Sequence, residues 1–288
     1  MSEVISFTRP ALSPALIERE YNNRSLVPEY PQYLERWVGE SKLARETRSF
    51  TTHRFGAQPN STLDLFTAHH AEALLVFIHG GYWRALTKDE FSFVAPAYVS
   101  RRIAVAVLNY DLCPTTTIAG IIDQVVAAMH YLHRIPNIPK RWLVAGHSAG
   151  GHLTATMWSA LAKLSTEVRQ AIVGGMTLSG VHDLDPMVDY SINADLKLTR
   201  EEAHRLSPVG LAPRIHAPLI VATGDNESSE FKRQAKLLYD LWPSACQAPR
   251  AGLLFPPGLN HFSIVEKFAD PAHDLHKRTI GLLDVRTA

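Results

Sequence analysis

The chain has 288 residues, 46% hydrophobic and 20% charged, and 29 basic against 28 acidic residues leave a formal charge of +1. That length buries a core sufficient for one α/β domain, and the balanced charge offers neither a nucleic-acid footprint nor a polybasic membrane patch. Two cysteines, Cys113 and Cys246, are too few for a disulfide scaffold and lack metal-ligand spacing, so both are expected to be reduced in a cytoplasmic protein.

The opening MSEVISFTRPALSPALIEREYNNR interrupts its apolar residues with acids and prolines and does not read as a signal peptide. No apolar run approaches the roughly 20 residues that cross a bilayer. Thr47–Phe55 and Thr62–Thr67 alternate in polarity, which predicts antiparallel edge strands. Leu74–His79 follows as a buried strand, then a helical stretch over Lys88–Ser100, a strand over Ile103–Asn109 and a helix over Ile118–His133. The strand Trp142–His147 leads into a helix over Ala149–Lys163, and Ile172–Ser179 reads as the next strand. Residues 182–213 break this alternation and are rich in charge, so they read equally as a lid or as a surface excursion. Leu219–Thr223 and Leu253–Phe255 close the strand set, separated by a helix over Ser229–Leu241 and followed by a last helix from Pro271. Without internal repeats or a long linker, the pattern predicts a single α/β domain over 1–288. Its core is a mostly parallel eight-stranded sheet with helices on both faces.

Chemistry concentrates at strand ends. Gly146-His147-Ser148-Ala149-Gly150-Gly151 lies between an apolar strand and a small-residue helix, the G-x-S-x-G nucleophile elbow in its strand–turn–helix setting. A sharp turn there exposes a serine hydroxyl at a helix N-terminus, and glycines flank it because side chains would collide with strand and helix. A phosphate loop would want a Lys or a G-x-G-x-x-G run, and neither is present. Ser148 is therefore the candidate nucleophile of an α/β-hydrolase fold. His79-Gly80-Gly81-Tyr82-Trp83 ends the third strand, where an H-G-G loop supplies oxyanion-hole amides. The candidate donors are the N–H groups of Gly81, Tyr82 and Ala149, and loss of one such donor costs about 10²–10³ in turnover.

Partners of such a serine follow in the order acid, then histidine. Asp225 and Glu227 both lie just past Leu219–Thr223; Glu227 is preferred because it stands three residues after Gly224, with Asp225 the alternative. His261, after the last strand, is the candidate base. His79, His147 and His152 sit inside the motifs and read as structural hydrogen-bonding residues. His130 and His133, spaced i,i+3 without acidic companions, read as a solvated helix face. No metal or cofactor is expected.

Together these residues resemble the kynurenine formamidases (arylformamidases), an HGG-x-W subgroup related to the hormone-sensitive-lipase esterases. His79–Trp83, the elbow, Ser179–Pro186, Glu227–Gln234 and Asn260–Ser263 all look like that family's segments. Two departures stand out: Glu227 occupies the position of the family's catalytic Asp, and His182 stands where an aromatic residue is usual. The resemblance implies cleavage of an N-formyl arylamine or short aryl ester through an acyl-enzyme, with Tyr82, Trp83 and His182 as substrate-binding residues. It also implies that residues 1–45, with Glu20, Tyr21, Asn22 and Arg24, fold over the active-site entrance. The alternatives are a general short-chain carboxylesterase and, since such receptors can keep the serine while losing the base, a non-catalytic ligand receptor on the same fold. The expected partner is a small aromatic formamide or ester, with no nucleic acid or membrane partner, and a homodimer is left open.

Overall fold

The computed structural model describes residues 4–284; the first three residues of the 1–45 segment, and the last four of the chain, lie outside the described residues. Its centre is an eight-stranded sheet in the order β1-β2-β4-β3-β5-β6-β7-β8. The strands are β1 Phe50–Arg54, β2 Thr62–Phe66, β3 Ala73–Ile78, β4 Ile103–Leu108, β5 Trp142–His147, β6 Ile172–Leu178, β7 Leu219–Ala222 and β8 Gly252–Leu254. β1 and β2 pair antiparallel, as do β2 and β4, and the remaining pairs are parallel. This is the α/β-hydrolase architecture read from the sequence.

The central strands are continuous apolar runs because both faces are covered. In β3, Leu74, Val76 and Ile78 pack into one core layer while Ala73, Leu75 and Phe77 pack into the other. β4 divides the same way, Ala104, Ala106 and Leu108 against Ile103, Val105 and Val107. One layer is covered by helix Ile118–Arg134, whose broad apolar face is buried from Ile118 to Leu132.

Three expectations change. The edge strand expected from Thr47 begins at Phe50, because Tyr30–Thr47 is an 18-residue helix. That helix buries only Trp37, Ser41 and Ala44, a stripe too narrow to give a clear 3.6-residue period. The helix expected over Ala149–Lys163 stops at Trp158, where Ser159 turns extended and bridges to Pro213. The stretch Lys88–Ser100 is a 3-10 turn over Lys88–Val94 followed by a short helix, Ala95–Val99. Residues 182–213 fold into short helical turns, among them Asp185–Val188, Asn193–Leu196 and Arg200–Leu206. No helix among the described residues is long and apolar enough to cross a membrane.

Candidate active site

The carboxyl ends of β3, β5, β6 and β7, and the loop after β8, converge on one edge of the sheet. Between β5 and helix Ala149–Trp158 stands a single residue, Ser148, at φ 58 and ψ −116. Such a backbone is strained for a non-glycine residue and persists only where its surroundings force it. Here they do: a Cβ on Gly146 would lie 2.2 Å from the Gly150 carbonyl oxygen, and one on Gly150 would lie 2.0 Å from that of Ile78. The strand and helix therefore meet at a distance only glycines allow, and the serine amide donates to Leu178 O at 2.8 Å.

Ser148 and His261 line one cavity of about 330 Å³. The Nδ1–H of His261 donates to Glu227 Oε2 at 2.7 Å. The other carboxylate oxygen, Oε1, accepts from Ser179 Oγ at 2.5 Å and from the Gly224 amide at 2.7 Å. Asp225 is exposed and its amide donates to Pro256 O, away from His261. Of the two neighbouring carboxylates, the structure thus brings Glu227 to the histidine. Ser179 opens the family-like segment Ser179–Pro186, but that motif does not reveal its role: only the adjacency of β6 and β7 brings it to the carboxylate.

Gly81 and Tyr82 both adopt positive φ, 109° and 51°, as the chain turns sharply after β3. A Cβ on Gly81 would lie 1.9 Å from Ala85 O, so glycine is required. Among the described residues no acceptor takes a hydrogen bond from the amides of Gly81, Tyr82 or Ala149. Gly81 and Tyr82 line the cavity.

Two expected substrate contacts do not reach the cavity. Trp83, also at positive φ, turns into the core, where its indole meets His152 edge-on at 5.2 Å and its carbonyl accepts from Cys113 N. His182 is fully buried behind the site, its ring against Gly180 and neither ring nitrogen hydrogen-bonded. The cavity's apolar lining comes instead from Leu34, Trp37, Leu86, Ile192 and Phe262, together with Tyr82. Residues 182–213 contribute Tyr190, Ser191 and Ile192 to the wall, and the N-terminal segment contributes Glu18, Asn22, Asn23 and Arg24. The family's opening motif pointed to that segment, but which of its side chains face the cavity follows from the helix rotation alone.

The motif histidines are held by backbone. His147 Nε2 donates to His261 O at 2.7 Å, its ring 4.8 Å from that of His261. His79 Nδ1 donates to Gly80 O while the ring stacks on Tyr110 at 4.1 Å, and His152 Nε2 donates to Leu206 O. Burial holds His147 well below the usual imidazole range and lowers His79 and His152 to about 4. For His182, burial and then the neighbouring His152 lower it to about 3. His130 Nε2 accepts from Ser165 N at 3.0 Å, a structural role.

Comparison with known proteins agrees with this geometry. A family model described as alpha/beta hydrolase fold matches residues 75–217. A kynurenine formamidase of Salmo salar is 32% identical over 220 residues, covering 73% of this chain and 72% of the relative. One from Danio rerio is 27% identical over 258 residues, covering 85% of each. A crystal structure of a candidate thioesterase from Silicibacter sp. superposes with a TM-score of 0.84 at 29% identity, over 92% of this chain and 98% of that one. The chain is accordingly a hydrolase of the α/β-hydrolase class. Within that class it belongs to the kynurenine-formamidase-like family.

Proposed function

We propose that this hydrolase cleaves a small acyl group, formyl foremost, from an aromatic amine or phenol through an acyl-enzyme on Ser148. The observation that carries the reading is the ordered set Ser148–His261–Glu227 at the cavity, with the His261 Nδ1–H held by the carboxylate at 2.7 Å. With that proton on Nδ1, the Nε2 lone pair is free to accept the serine proton. In this reading Ser148 Oγ attacks the formyl carbon as His261 takes its proton. The carbonyl oxygen, now negative, takes hydrogen bonds from the amides of Gly81, Tyr82 and Ala149. Collapse breaks the C–N bond, and His261 returns the proton to the departing arylamine. Water, deprotonated by the same histidine, then releases formate and restores Ser148.

The acyl preference is supported by the relatives, which are named kynurenine formamidases, and the cavity of about 330 Å³ is of a size that takes a small molecule. The test is steady-state turnover of N-formylkynurenine beside p-nitrophenyl acetate, for the wild type and Ser148→Ala. Formamide cleavage with a loss of at least about 10³-fold in the variant is expected. Ester cleavage without formamide cleavage would make the protein a short-chain carboxylesterase, and substantial residual turnover in Ser148→Ala would remove the serine mechanism.

A further inference from the structure

The loop after β3 is held in a conformation that its own residues resist. Gly81, Tyr82, Trp83 and Leu86 stand at positive φ, 109°, 51°, 58° and 67°. For residues as bulky as tyrosine and tryptophan that region is strained and persists only where outside contacts hold it. Within the loop the amides of Arg84 and Ala85 donate to Gly81 O, at 3.1 and 3.0 Å. From outside, Cys113 N donates to Trp83 O at 2.8 Å, and Arg84 Nη2 lies 2.7 Å from Asp195 Oδ2. Tyr82, whose amide is a candidate oxyanion donor, is tethered through its side chain. Its hydroxyl donates to the main-chain carbonyl of Tyr21 at 2.6 Å.

Tyr21 is itself seated on the elements that carry the acid and the base. It is fully buried at the end of helix Pro14–Tyr21. Its ring meets that of Phe231 at 5.5 Å, and Phe231 meets the His261 ring at 4.7 Å. The adjacent Glu20 accepts from Ser229 Oγ at 2.6 Å and from the Glu230 amide at 3.4 Å. Both donors lie in the first turn of helix Ser229–Leu241, which starts just after Glu227. Two successive residues of one helix therefore reach the oxyanion loop, the ring beside the base and the helix that follows the acid.

We propose that Tyr21 is a positioning residue: its carbonyl, by accepting the Tyr82 hydroxyl, holds the oxyanion loop in its strained turn. The amides of Gly81 and Tyr82 are thereby kept on the oxygen that becomes negative during catalysis, and Glu20 seats Tyr21 by docking on helix Ser229–Leu241. The net worth of one hydrogen bond is of the order of the strain at one such residue, so losing the tether lets the loop relax in part. The inference rests on the reading of Ser148 as the acylated nucleophile, and not on which acyl group it takes.

Two ketones separate the oxyanion hole from the pocket around it. With trifluoroacetophenone, Ser148 Oγ bonds to the ketone carbon, the π electrons move to oxygen to leave an alkoxide, and His261 takes the serine proton. Acetophenone fills similar space and stays a ketone, so it reports ground-state binding. Inhibition constants for both, with kcat and KM on p-nitrophenyl acetate, are measured for wild type, Tyr82→Phe and Glu20→Gln. Tyr82→Phe should lose about tenfold in kcat and in trifluoroacetophenone affinity, a part of what a missing donor costs, with KM and acetophenone affinity unchanged. Glu20 does not line the cavity, and Glu20→Gln should show the same selective loss at about threefold. A role in stability alone would leave the ratio of the two affinities at its wild-type value in Tyr82→Phe, which overturns the proposal. Equal weakening of both ketones overturns it too, since the hydroxyl then only shapes the pocket. An unchanged ratio in Glu20→Gln alone overturns the part given to Glu20. If wild type itself binds the two ketones alike, the acyl-enzyme reading fails and the proposal with it. A selective loss in an enzyme that leaves N-formyl arylamines uncleaved keeps the tether and removes only the formamidase reading.

Discussion

Glu227 divides its oxygens between two tasks. Oε2 accepts from His261, while Oε1 is anchored by Ser179 Oγ and the Gly224 amide. Anchoring one oxygen fixes the other, so the histidine is presented in one orientation and one tautomer. Glu227→Gln should therefore lower kcat by about 10²–10⁴, since the amide can present an N–H to Nδ1 and favour the wrong tautomer. Asp225→Asn, at an exposed position, should leave kcat within about twofold, because surface changes away from the chemistry are near neutral. Ser179→Ala should fall between, about tenfold, by removing one anchor and leaving a buried carboxylate less satisfied. Steady-state kinetics on p-nitrophenyl acetate give the order directly, and a larger effect at Asp225 than at Glu227 would reassign the acid.

At the scale of elements, three segments distant in sequence are tied at Tyr21 and Gln234. The Tyr21 hydroxyl donates to Glu230 Oε2 and accepts from Gln234 Nε2, both at 2.9 Å. Its carbonyl accepts from Tyr82 and Tyr190, the hydroxyls of two cavity walls. Gln234 Oε1 in turn accepts the amides of His182 and Asp183, at 2.8 and 2.7 Å. Arg9 adds an ion pair to the buried Asp183, and the Ile5 amide donates to Gly210 O. The N-terminal segment, residues 182–213 and helix Ser229–Leu241 thus share one buried polar network. Satisfied networks of this kind stabilise; broken ones leave orphaned groups. Gln234→Leu strands two buried amides and should cost about 2–4 kcal/mol, read as a lower urea midpoint at unchanged slope. An unchanged midpoint would mean that water replaces the amide, and the tie would carry no structural role.

At the scale of the whole molecule, burial holds five imidazoles among the described residues, His79, His147, His152, His182 and His276, below the usual imidazole range. Their folded-state values are lowered, so between those values and the unfolded value near 6.5 the unfolded chain binds more protons. Neutral burial therefore contributes stability that is present above pH 6.5 and is lost as pH falls toward about 4. His182 isolates the effect because neither of its nitrogens is hydrogen-bonded. His182→Phe should keep the packing and reduce the loss of unfolding free energy from pH 7 to pH 5 by about 2 kcal/mol. Urea titrations at the two pH values check this; an unaltered difference would mean that His182 is already protonated in the fold.

The sheet and the positions of its strand-end residues were legible in the sequence because their signals are local. Apolar runs such as Leu74–His79 need no tertiary knowledge to read as buried strands, here observed as Ala73–Ile78, and Gly146–Gly150 states its own steric reason for a tight turn. Strand order brings Ser148, Glu227 and His261 to one edge, and that much follows from their ordinal places. What only the tertiary structure decided depends on long-range contact or side-chain direction. The narrow stripe that helix Tyr30–Thr47 buries hides it from sequence reasoning, and only the packed structure shows that the Trp83 ring lies in the core against His152 rather than in the cavity. Ser179 stands in a family-like segment, but its carboxylate partner is set only by the neighbouring strand. The charges of Glu18 and Arg24 are written in the sequence like any others. Their meeting on one cavity wall is set by how the N-terminal segment docks through Tyr21.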